Sequence, residues 1–168
     1  MDDLSAAFWP PAESLFFDNN NCKIIHWKSF DNDGSLWFEG EFKSVGFHII
    51  KTSNKDIGQK LSILLKTAFE LSSQNKILSG NITTQLDFSR LWGLGTSSTL
   101  SSLVAQLFKI NAIDLHFATS NGSGYDVACA NSNSAITYTL SDKNKTTIVP
   151  IIWNPSFKNN IFFVYLNK

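Results

Sequence analysis

The sequence predicts an α+β domain in which a mostly antiparallel β-sheet carries packed helices. Apolar residues alternate in the manner of strands between residues 23 and 51 and again after residue 135. Between these regions, two stretches carry apolar residues at the spacing of one helical face. The length of 168 residues is enough for one full domain and too short for two ordinary ones.

Composition and charge limit the class of protein. A hydrophobic fraction of 43% and an aromatic fraction of 13% predict a packed core rather than disorder. The 14 basic and 14 acidic side chains balance, so no global field favours nucleic acid or an anionic membrane as a partner. There is no signal-peptide pattern and no apolar run of membrane-spanning length, and Cys22 and Cys129 lack paired or metal-site spacing. We therefore expect a cytoplasmic protein with reduced thiols, and its oligomeric state stays open.

The first third of the chain predicts a lead-in followed by strands. An irregular lead-in is expected over residues 1–22, because a Pro-Pro pair and a run of asparagines interrupt any regular period. Strands are predicted at residues 23–29 and 36–42, and the intervening sequence DNDG favours a tight reversal, so the two form a hairpin. A third apolar run, residues 46–51, is predicted to extend the same sheet.

The first helix is predicted from Asp56, where the apolar period changes from that of a strand to that of a helix. Its apolar stripe consists of Ile57, Leu61, Leu64, Leu65, Ala68 and Phe69. Ser53, three residues before Asp56, resembles the start of a capping box, and polar residues end the helix near residues 72–75. Alternation over residues 80–88 then predicts a strand that leads into a glycine-rich turn.

That turn, residues 93–99, is rich in hydroxyls and precedes a second helix. Apolar residues from Leu100 to Phe108 share one helical face, so this helix is expected to begin near Ser98. The first N–H groups of a helix have no partner and the helix dipole is positive there, which favours an anion such as phosphate. Two glycines let the backbone approach that anion. The alternative is an ordinary helix cap after a glycine turn.

Short elements are predicted in the remainder of the chain. Residues 111–119 form a short segment, and residues 120–124 are a flexible stretch of glycine and polar residues. The sequence YDVACA at residues 125–130 predicts a short buried helix. Three strand-like runs follow, residues 135–140, 146–153 and 161–166.

Two stretches carry candidate chemistry. In the turn GLGTSST no lysine follows at Walker-loop spacing, and the glycines lack the GxGxxG pattern of dinucleotide sites. Its N–H groups and hydroxyls can instead surround a polyphosphate and give Mg²⁺ an oxygen ligand. In the second stretch, GSGYD, Asp126 beside a glycine-rich turn is a candidate general base or cation partner. The alternative is that Asp126 only stabilises the first turn of a helix.

Other residues give weaker signals. His26, His48 and His116 have no regular metal spacing and are expected to be structural. The chain has no GxSxG nucleophile elbow, which argues against a serine hydrolase. Trp92 directly precedes the glycine turn and is a candidate to flank an adenine or a sugar.

Together the two stretches resemble a known enzyme family. The sequence GLGTSST at residues 93–99 resembles the GLGSSAA motif of the GHMP kinases, the superfamily of galactokinase and of the homoserine, mevalonate and phosphomevalonate kinases. The sequence GSGYD at residues 122–126 resembles the SGxD motif of the mevalonate-kinase-like branch. The sequence GYDVACA resembles the Gly-Tyr-Asp-Ile-Ala signature of a bacterial subgroup of this superfamily. The resemblance covers the chain from Ile24 onwards.

This resemblance implies an ATP- and Mg²⁺-dependent kinase with the two-layer α/β sandwich of GHMP N-terminal domains, akin to a ribosomal-protein domain. Its implied substrate is the hydroxyl or phosphate of a small, mevalonate-like metabolite. The resemblance also implies that the ATP phosphates are wrapped by Gly93, Leu94, Gly95, Thr96, Ser97 and Ser98. Ser97 is the implied Mg²⁺ ligand, and Asp126 is the implied catalytic residue that orients or deprotonates the acceptor hydroxyl. Ser123 and Gly124 are implied to border the acceptor.

Some family features have no counterpart. The N-terminal lysine and Gly-Glu-Tyr-like strand are missing from residues 1–21, and no glycine-rich motif follows Gly124. Many members place a Mg²⁺-ligating glutamate on the helix before the SGxD motif, and this glutamate has no match here. Asp114 is the acidic residue nearest to that position. We therefore expect residues 23–168 to be a GHMP N-terminal-like domain without the C-terminal GHMP domain, a partial chain with poor turnover. The alternatives are a non-catalytic or degenerate nucleotide-binding domain and, more distantly, an RNA-binding module of the same fold, which the neutral charge disfavours.

Overall fold

The computed structural model describes the backbone of residues 2–4 and 13–18 and all of residues 23–73, 77–141, 145–162 and 164. Over these residues the chain is a mixed α+β fold, in which a six-stranded and mostly antiparallel sheet packs against helices. The predicted fold class is confirmed at this level. A separate two-stranded sheet follows the helices.

The large sheet contains six strands, β1 Asp2–Leu4, β2 Glu13–Asp18, β3 Ile24–Phe30, β4 Leu36–Lys43, β5 Ile49–Thr52 and β6 Gly80–Leu86. Their order is β1-β2-β6-β3-β4-β5, with β3 and β6 parallel and the other described pairs of this sheet antiparallel. The predicted β3–β4 hairpin is confirmed. β5 begins at Ile49 rather than at residue 46, because Gly46 and Phe47 have positive φ angles of 73° and 53°.

Part of the lead-in that we expected to be irregular, residues 1–22, is β-structure. Along its whole length β2 pairs antiparallel with β6, and β1 pairs with β2. The expectation is therefore wrong for residues 2–4 and 13–18, and the rest of the lead-in lies outside the described residues. The local pattern missed these strands because they form by pairing with a sheet edge that is distant in sequence.

Helix α1 spans Lys55–Leu71 and confirms the first predicted helix. Its N-cap is Asn54, whose side-chain oxygen accepts the Ile57 N–H at 3.1 Å. The expected capping residue, Ser53, instead accepts the Glu39 N–H at 3.0 Å and so links the start of the helix to β4. The helix buries Leu61, Leu64, Leu65 and Ala68.

Three further helices follow β6, namely α2 Thr96–Phe108, α3 Ala112–Thr119 and α4 Tyr125–Ala130. α2 begins two residues before the expected Ser98, because the glycine turn ends at Gly95. α3 is an addition to the prediction, which gave only a short segment there. The Asn111 side chain caps it by accepting the Ile113 N–H at 2.8 Å. The short helix predicted at residues 125–130 is confirmed.

One hydrophobic core joins the sheet to the helices. Alternate residues of β3, β4 and β6 are buried, so one face of the sheet lies against this core. Its largest fully buried side chains include Trp27, Phe38, Phe42, Phe47, Leu65 and Leu115. Within it, Ser29 Oγ accepts hydrogen bonds from Trp27 Nε1 at 3.0 Å and from Thr84 Oγ1 at 2.8 Å. The second bond joins β3 to β6, the strand that leads to the glycine turn.

The small sheet consists of β7 Ile136–Leu140 and β8 Thr146–Pro150. β8 ends at Pro150, before the predicted residue 153, and Pro150 pairs with Ile136, the first residue of β7. In the run predicted as a strand at residues 161–166, the described residues Ile161, Phe162 and Val164 are not in a strand, and the others lie outside the described residues. No helix in the described part of the chain is long and apolar enough to cross a membrane.

Candidate functional site

The glycine turn is built from two left-handed glycines. After β6, a short 3-10 turn at Arg90–Trp92 carries the chain to Gly93. Gly93 and Gly95 have φ angles of 73° and 82°, which residues with a Cβ rarely adopt. The backbone itself therefore requires glycine at both positions, and the turn directs the chain into α2.

α2 begins without a side-chain cap. Its N-cap is Gly95, whose carbonyl accepts the N–H groups of Ser98 at 2.9 Å and Thr99 at 3.1 Å. Because Gly95 has no side chain, it offers no further oxygen to the first N–H groups of the helix, those of Thr96 and Ser97. The start of α2 therefore presents N–H donors and the positive end of the helix dipole.

Asp31 anchors the glycine turn to the tip of the β3–β4 hairpin. One carboxylate oxygen of Asp31 accepts the Arg90 backbone N–H at 3.3 Å, and the other accepts Arg90 Nε at 3.2 Å. The Arg90 guanidinium lies 5.3 Å from the centroid of the Trp37 ring. From the sequence Asp31 is only a turn residue, since no local pattern pairs it with a residue 59 positions later.

The turn before Asp126 is closely packed around Gly124. This glycine is buried, has a φ angle of 78° and is the N-cap of α4. A Cβ at Gly124 would lie 3.2 Å from Tyr138 Oη and 3.3 Å from His116 Cδ2, so packing and backbone both require glycine. Asp126 follows in the first turn of α4 and is exposed to solvent.

Two side chains from other elements hold this turn. Tyr138 Oη on β7 donates a hydrogen bond to the Ser123 carbonyl, and His116 Nε2 on α3 lies 3.1 Å from the Gly122 carbonyl oxygen. The rings of Tyr138 and Tyr125 meet edge to face with their centroids 5.7 Å apart. His116 thus makes a structural contact, and Tyr138 is a residue that the sequence did not single out.

At its other end α4 is joined directly to α2. Asn131 is the C-cap of α4, and its Oδ1 accepts a hydrogen bond from Ser102 Oγ of α2 at 2.9 Å. The Asn131 Nδ2 donates to the Val127 carbonyl at 2.8 Å. The hydrogen bond between Ser102 and Asn131 therefore joins the two helices that begin at the candidate motifs.

The two candidate stretches meet at one open cavity of about 270 Å³. Its wall is formed by Gly93, Leu94, Gly95, Ser98, Thr99, Tyr125, Asp126, Cys129 and Ala130. Four residues assigned by the resemblance do not line it, namely Thr96, Ser97, Ser123 and Gly124. Cys129 was not anticipated, although its position four residues after Tyr125 places both on one face of α4.

Asp126 is the only charged side chain among the described residues of this wall. Hydrogen bonding and the electrostatic interaction with the Cys129 side chain raise the pKa of Tyr125, and burial and then the charge of Asp126 add to the rise. Burial also raises the pKa of Tyr138. Both hydroxyls are therefore protonated at neutral pH and remain hydrogen-bond donors.

Oxygen atoms are the potential metal ligands at this cavity. In the described ranges no group of three or more His, Cys, Asp or Glu side chains is suited to a metal ion. Asp114, the acidic residue nearest to the position of the family's Mg²⁺-ligating glutamate, lines a different cavity of about 230 Å³. That cavity lies between the ends of α1 and α2 and the start of α3. The first cavity offers the hydroxyl oxygens of Ser98 and Thr99 as ligands, on the same wall as the Asp126 carboxylate. Because Mg²⁺ prefers oxygen, keeps several waters and is often shared with substrate phosphates, this set fits Mg²⁺ bound together with a nucleotide.

The arrangement combines N–H donors at a helix start, hydroxyls beside them and a carboxylate on the neighbouring helix. Such a site can hold an anion together with a cation, and the carboxylate can accept a proton from a hydroxyl group.

No protein-family model, no curated protein and no solved structure matches this chain.

Proposed function

We propose that this chain is a GHMP-type kinase domain that binds Mg²⁺–ATP in the cavity between the glycine turn and α4. Its proposed substrate is the hydroxyl or phosphate of a small, mevalonate-like metabolite, and its proposed location is the cytoplasm. One observation supports this most strongly, which is that the glycine turn and Asp126 line the same cavity although they belong to different helices. We also propose the GHMP N-terminal fold for the large sheet and its helices.

In this proposal the ATP phosphates lie against the start of α2. The N–H groups of Thr96 and Ser97 and the helix dipole supply positive charge, since the described wall carries no cationic side chain. Apart from Gly93 and its two chain neighbours, no described residue has an atom within 4 Å of where a Cβ on Gly93 would be, so the space beside the turn can accept a phosphate oxygen. The glycines thus allow close approach of the backbone to the nucleotide.

Mg²⁺ bound with ATP neutralises phosphate charge as the phosphoryl group moves. Two neighbouring serines are candidates to hold it. The resemblance implies Ser97, which is exposed, whereas Ser98 lies on the cavity wall. Alanine at the ligating position is expected to weaken Mg²⁺–ATP binding more than binding of ATP in excess chelator, and alanine at the other serine serves as the matched control.

Asp126 is proposed to orient the acceptor hydroxyl and take its proton. The acceptor oxygen attacks the γ-phosphorus, the bond from that phosphorus to the ADP oxygen breaks, and the acceptor proton passes to the Asp126 carboxylate. Ser123 and Gly124 border the acceptor in this proposal, because they immediately precede Tyr125 on the cavity wall.

A second candidate function is a non-catalytic nucleotide-binding domain. The observation that favours it is the modest cavity, whose volume of about 270 Å³ lies below the usual range of small-molecule sites. Under this alternative the chain binds Mg²⁺–ATP but transfers no phosphoryl group. An RNA-binding module is a third and more distant alternative, and the balanced charge argues against it.

Calorimetry with Mg²⁺–ATP, followed by a phosphoryl-transfer assay over small hydroxyl and phosphate acceptors, tests the proposal. Asp126→Asn is expected to bind Mg²⁺–ATP within about threefold of the unsubstituted chain. In any form that turns over, it is expected to lose about 100-fold or more in transfer rate. The control Asp114→Asn removes the same charge at the other cavity and is expected to change neither quantity.

Three outcomes separate the candidates. Absence of binding at millimolar Mg²⁺–ATP contradicts both nucleotide-binding proposals. Binding without transfer to any acceptor supports the non-catalytic domain, and transfer that survives in Asp126→Asn rejects the role given to this carboxylate.

A further inference from the structure

The backbone that leads into α4 is held by its carbonyl groups. His116 Nε2 lies 3.1 Å from the Gly122 carbonyl oxygen, and Tyr138 Oη donates to the Ser123 carbonyl. Because a peptide unit is planar, fixing a carbonyl also fixes the direction of the next N–H group. Two successive peptide units before α4 are therefore oriented by side chains of α3 and β7.

The same two side chains leave little space around the glycines of this turn. A Cβ on Gly124 would meet Tyr138 Oη at 3.2 Å, and a Cβ on Gly122 would meet the His116 ring at 3.3 Å. α4 has only six residues, and a helix of that length has little stability of its own. Burial of Val127 and Ala128 docks α4 on the core, and contacts at its two ends add to its orientation, Asn131 with Ser102 at one and this turn at the other.

Tyr138 also touches the wall of the cavity. Its ring meets the Tyr125 ring edge to face at 5.7 Å and 76°, and Tyr125 lines the cavity beside Asp126. Tyr138 itself is not part of that wall. One side chain outside the cavity thus contacts both the turn before Asp126 and the aromatic ring next to it.

We infer that Tyr138 and His116 are positioning residues that hold Asp126 in its orientation toward the glycine turn. This inference rests on the proposed function, because the orientation of Asp126 matters for a reaction only if the cavity holds the nucleotide. It goes beyond that function by assigning a role to two residues outside the cavity. A purely structural role for them would change stability without changing where Asp126 lies relative to the nucleotide.

The test uses Tyr138→Phe, which keeps the ring and removes only the hydroxyl. Its matched control is Thr137→Val, which removes a hydroxyl from the exposed neighbouring residue of β7. His116→Leu removes the ring nitrogen, and His116→Gln can restore a donor at a similar reach. Each protein is folded and saturated with Mn²⁺–ADP, and the paramagnetic broadening of the Asp126 carboxyl carbon signal is measured by NMR together with the Mn²⁺–ADP affinity.

The unsubstituted chain, Thr137→Val and His116→Gln are expected to show strong broadening of the Asp126 signal. Tyr138→Phe and His116→Leu are expected to lose most of it while binding Mn²⁺–ADP within about threefold, because the glycine turn has its own anchor. Equal broadening in Tyr138→Phe and Thr137→Val would overturn the inference.

Failure of the proposed function has a different signature. If the unsubstituted chain binds no Mn²⁺–ADP, the proposed nucleotide site is rejected, and the positioning role is then decided by amide exchange at Ala128, whose N–H donates to the Gly124 carbonyl at 2.9 Å. Exchange that is about fivefold faster in Tyr138→Phe than in Thr137→Val would support the orienting contact, because loss of one net hydrogen bond raises the exchange rate by about that factor. Equal exchange rates reject it.

Discussion

The Asp31 carboxylate accepts hydrogen bonds from both the backbone N–H and the side-chain Nε of Arg90, the first residue of the 3-10 turn before the glycine turn. The Asp31 side chain is only 13% exposed, and its own carbonyl accepts the Gly34 N–H at 2.9 Å within the hairpin. The tip of the β3–β4 hairpin and the glycine turn are therefore coupled, so the candidate site depends on a residue that does not line its cavity.

Asp31→Ala is expected to lower the free energy of unfolding by about 1–2 kcal/mol, because the Arg90 backbone N–H and side chain lose their acceptor. It is also expected to weaken Mg²⁺–ATP binding, since the turn loses its anchor. The matched control is Asp33→Ala in the same hairpin, where the exposed carboxylate bonds locally to Ser35, whose N–H lies 2.8 Å away. Denaturant unfolding and calorimetry measure both effects, and an equal loss in Asp33→Ala would contradict the coupling.

Gly95→Ala tests the turn itself. Gly95 has a φ angle of 82°, and among the described residues beyond its chain neighbours only Ser98 approaches the position of a Cβ, with atoms at 3.9 and 4.0 Å. The stability cost therefore arises from backbone strain. That cost is expected to be about 1–2 kcal/mol. The substitution would also disturb the proposed charge-assisted contact of the turn with phosphate, so Mg²⁺–ATP affinity is expected to fall about tenfold.

Gly34→Ala is the matched control for Gly95→Ala. Gly34 has a φ angle of 79°, and beyond its chain neighbours no described residue comes within 4 Å of a Cβ there. It lies at the hairpin tip rather than on the cavity wall. It is expected to lose similar stability while keeping its Mg²⁺–ATP affinity. If both variants lose affinity equally, strain alone accounts for the effect and the phosphate contact at Gly95 is rejected.

Cys129 provides a chemical probe of the cavity. Its thiol is on the wall beside Asp126, so bound nucleotide is expected to shield it from iodoacetamide. With Mg²⁺–ATP at about ten times its dissociation constant, the alkylation rate measured on the Cys129 peptide is expected to fall about tenfold. Mg²⁺ alone and adenosine alone are the controls, and an unchanged rate at saturation would place the nucleotide elsewhere.

The raised pKa of Tyr125 predicts how alkaline pH acts on this region. A hydroxyl whose pKa is higher in the folded than in the unfolded chain contributes stability below its ordinary pKa of about 10, and that contribution is lost as pH rises through the folded value. Cys129→Ala removes the first cause of the rise, so tyrosinate absorbance is expected to appear at lower pH than in the unsubstituted chain. An unchanged titration in Cys129→Ala would contradict the hydrogen bond to Cys129.

Local patterns predicted those parts of the fold that local physics determines. The β3–β4 hairpin follows from alternation around the turn sequence DNDG, and α1 follows from a single apolar stripe. The glycine turn before α2 could be predicted because its two positive φ angles favour glycine at both positions. Gly93, Gly95 and Asp126 could therefore be named as candidates, and the structure brings them to one cavity.

Features that depend on distant partners could not be predicted in this way. β2 forms only because β6 offers it an edge, and α3 depends on the Asn111 cap in a segment with no clear apolar stripe. Asp31 contacts Arg90, and Tyr138 contacts the Ser123 carbonyl. The local sequence around these residues does not predict that they pair. These contacts orient the candidate site, so its geometry is a property of the assembled fold.

The most direct test of the central claim is an NMR titration of the backbone amides with Mg²⁺–ATP. We expect the largest shifts at the amides of Thr96 and Ser97 at the start of α2, to which the phosphates are proposed to bind, and at Asp126 on the cavity wall. The amides of Asn111 and Asp114 at the other cavity serve as the internal control and are expected to remain unchanged. Shifts confined to that second cavity, or no shifts at millimolar nucleotide, would contradict the account.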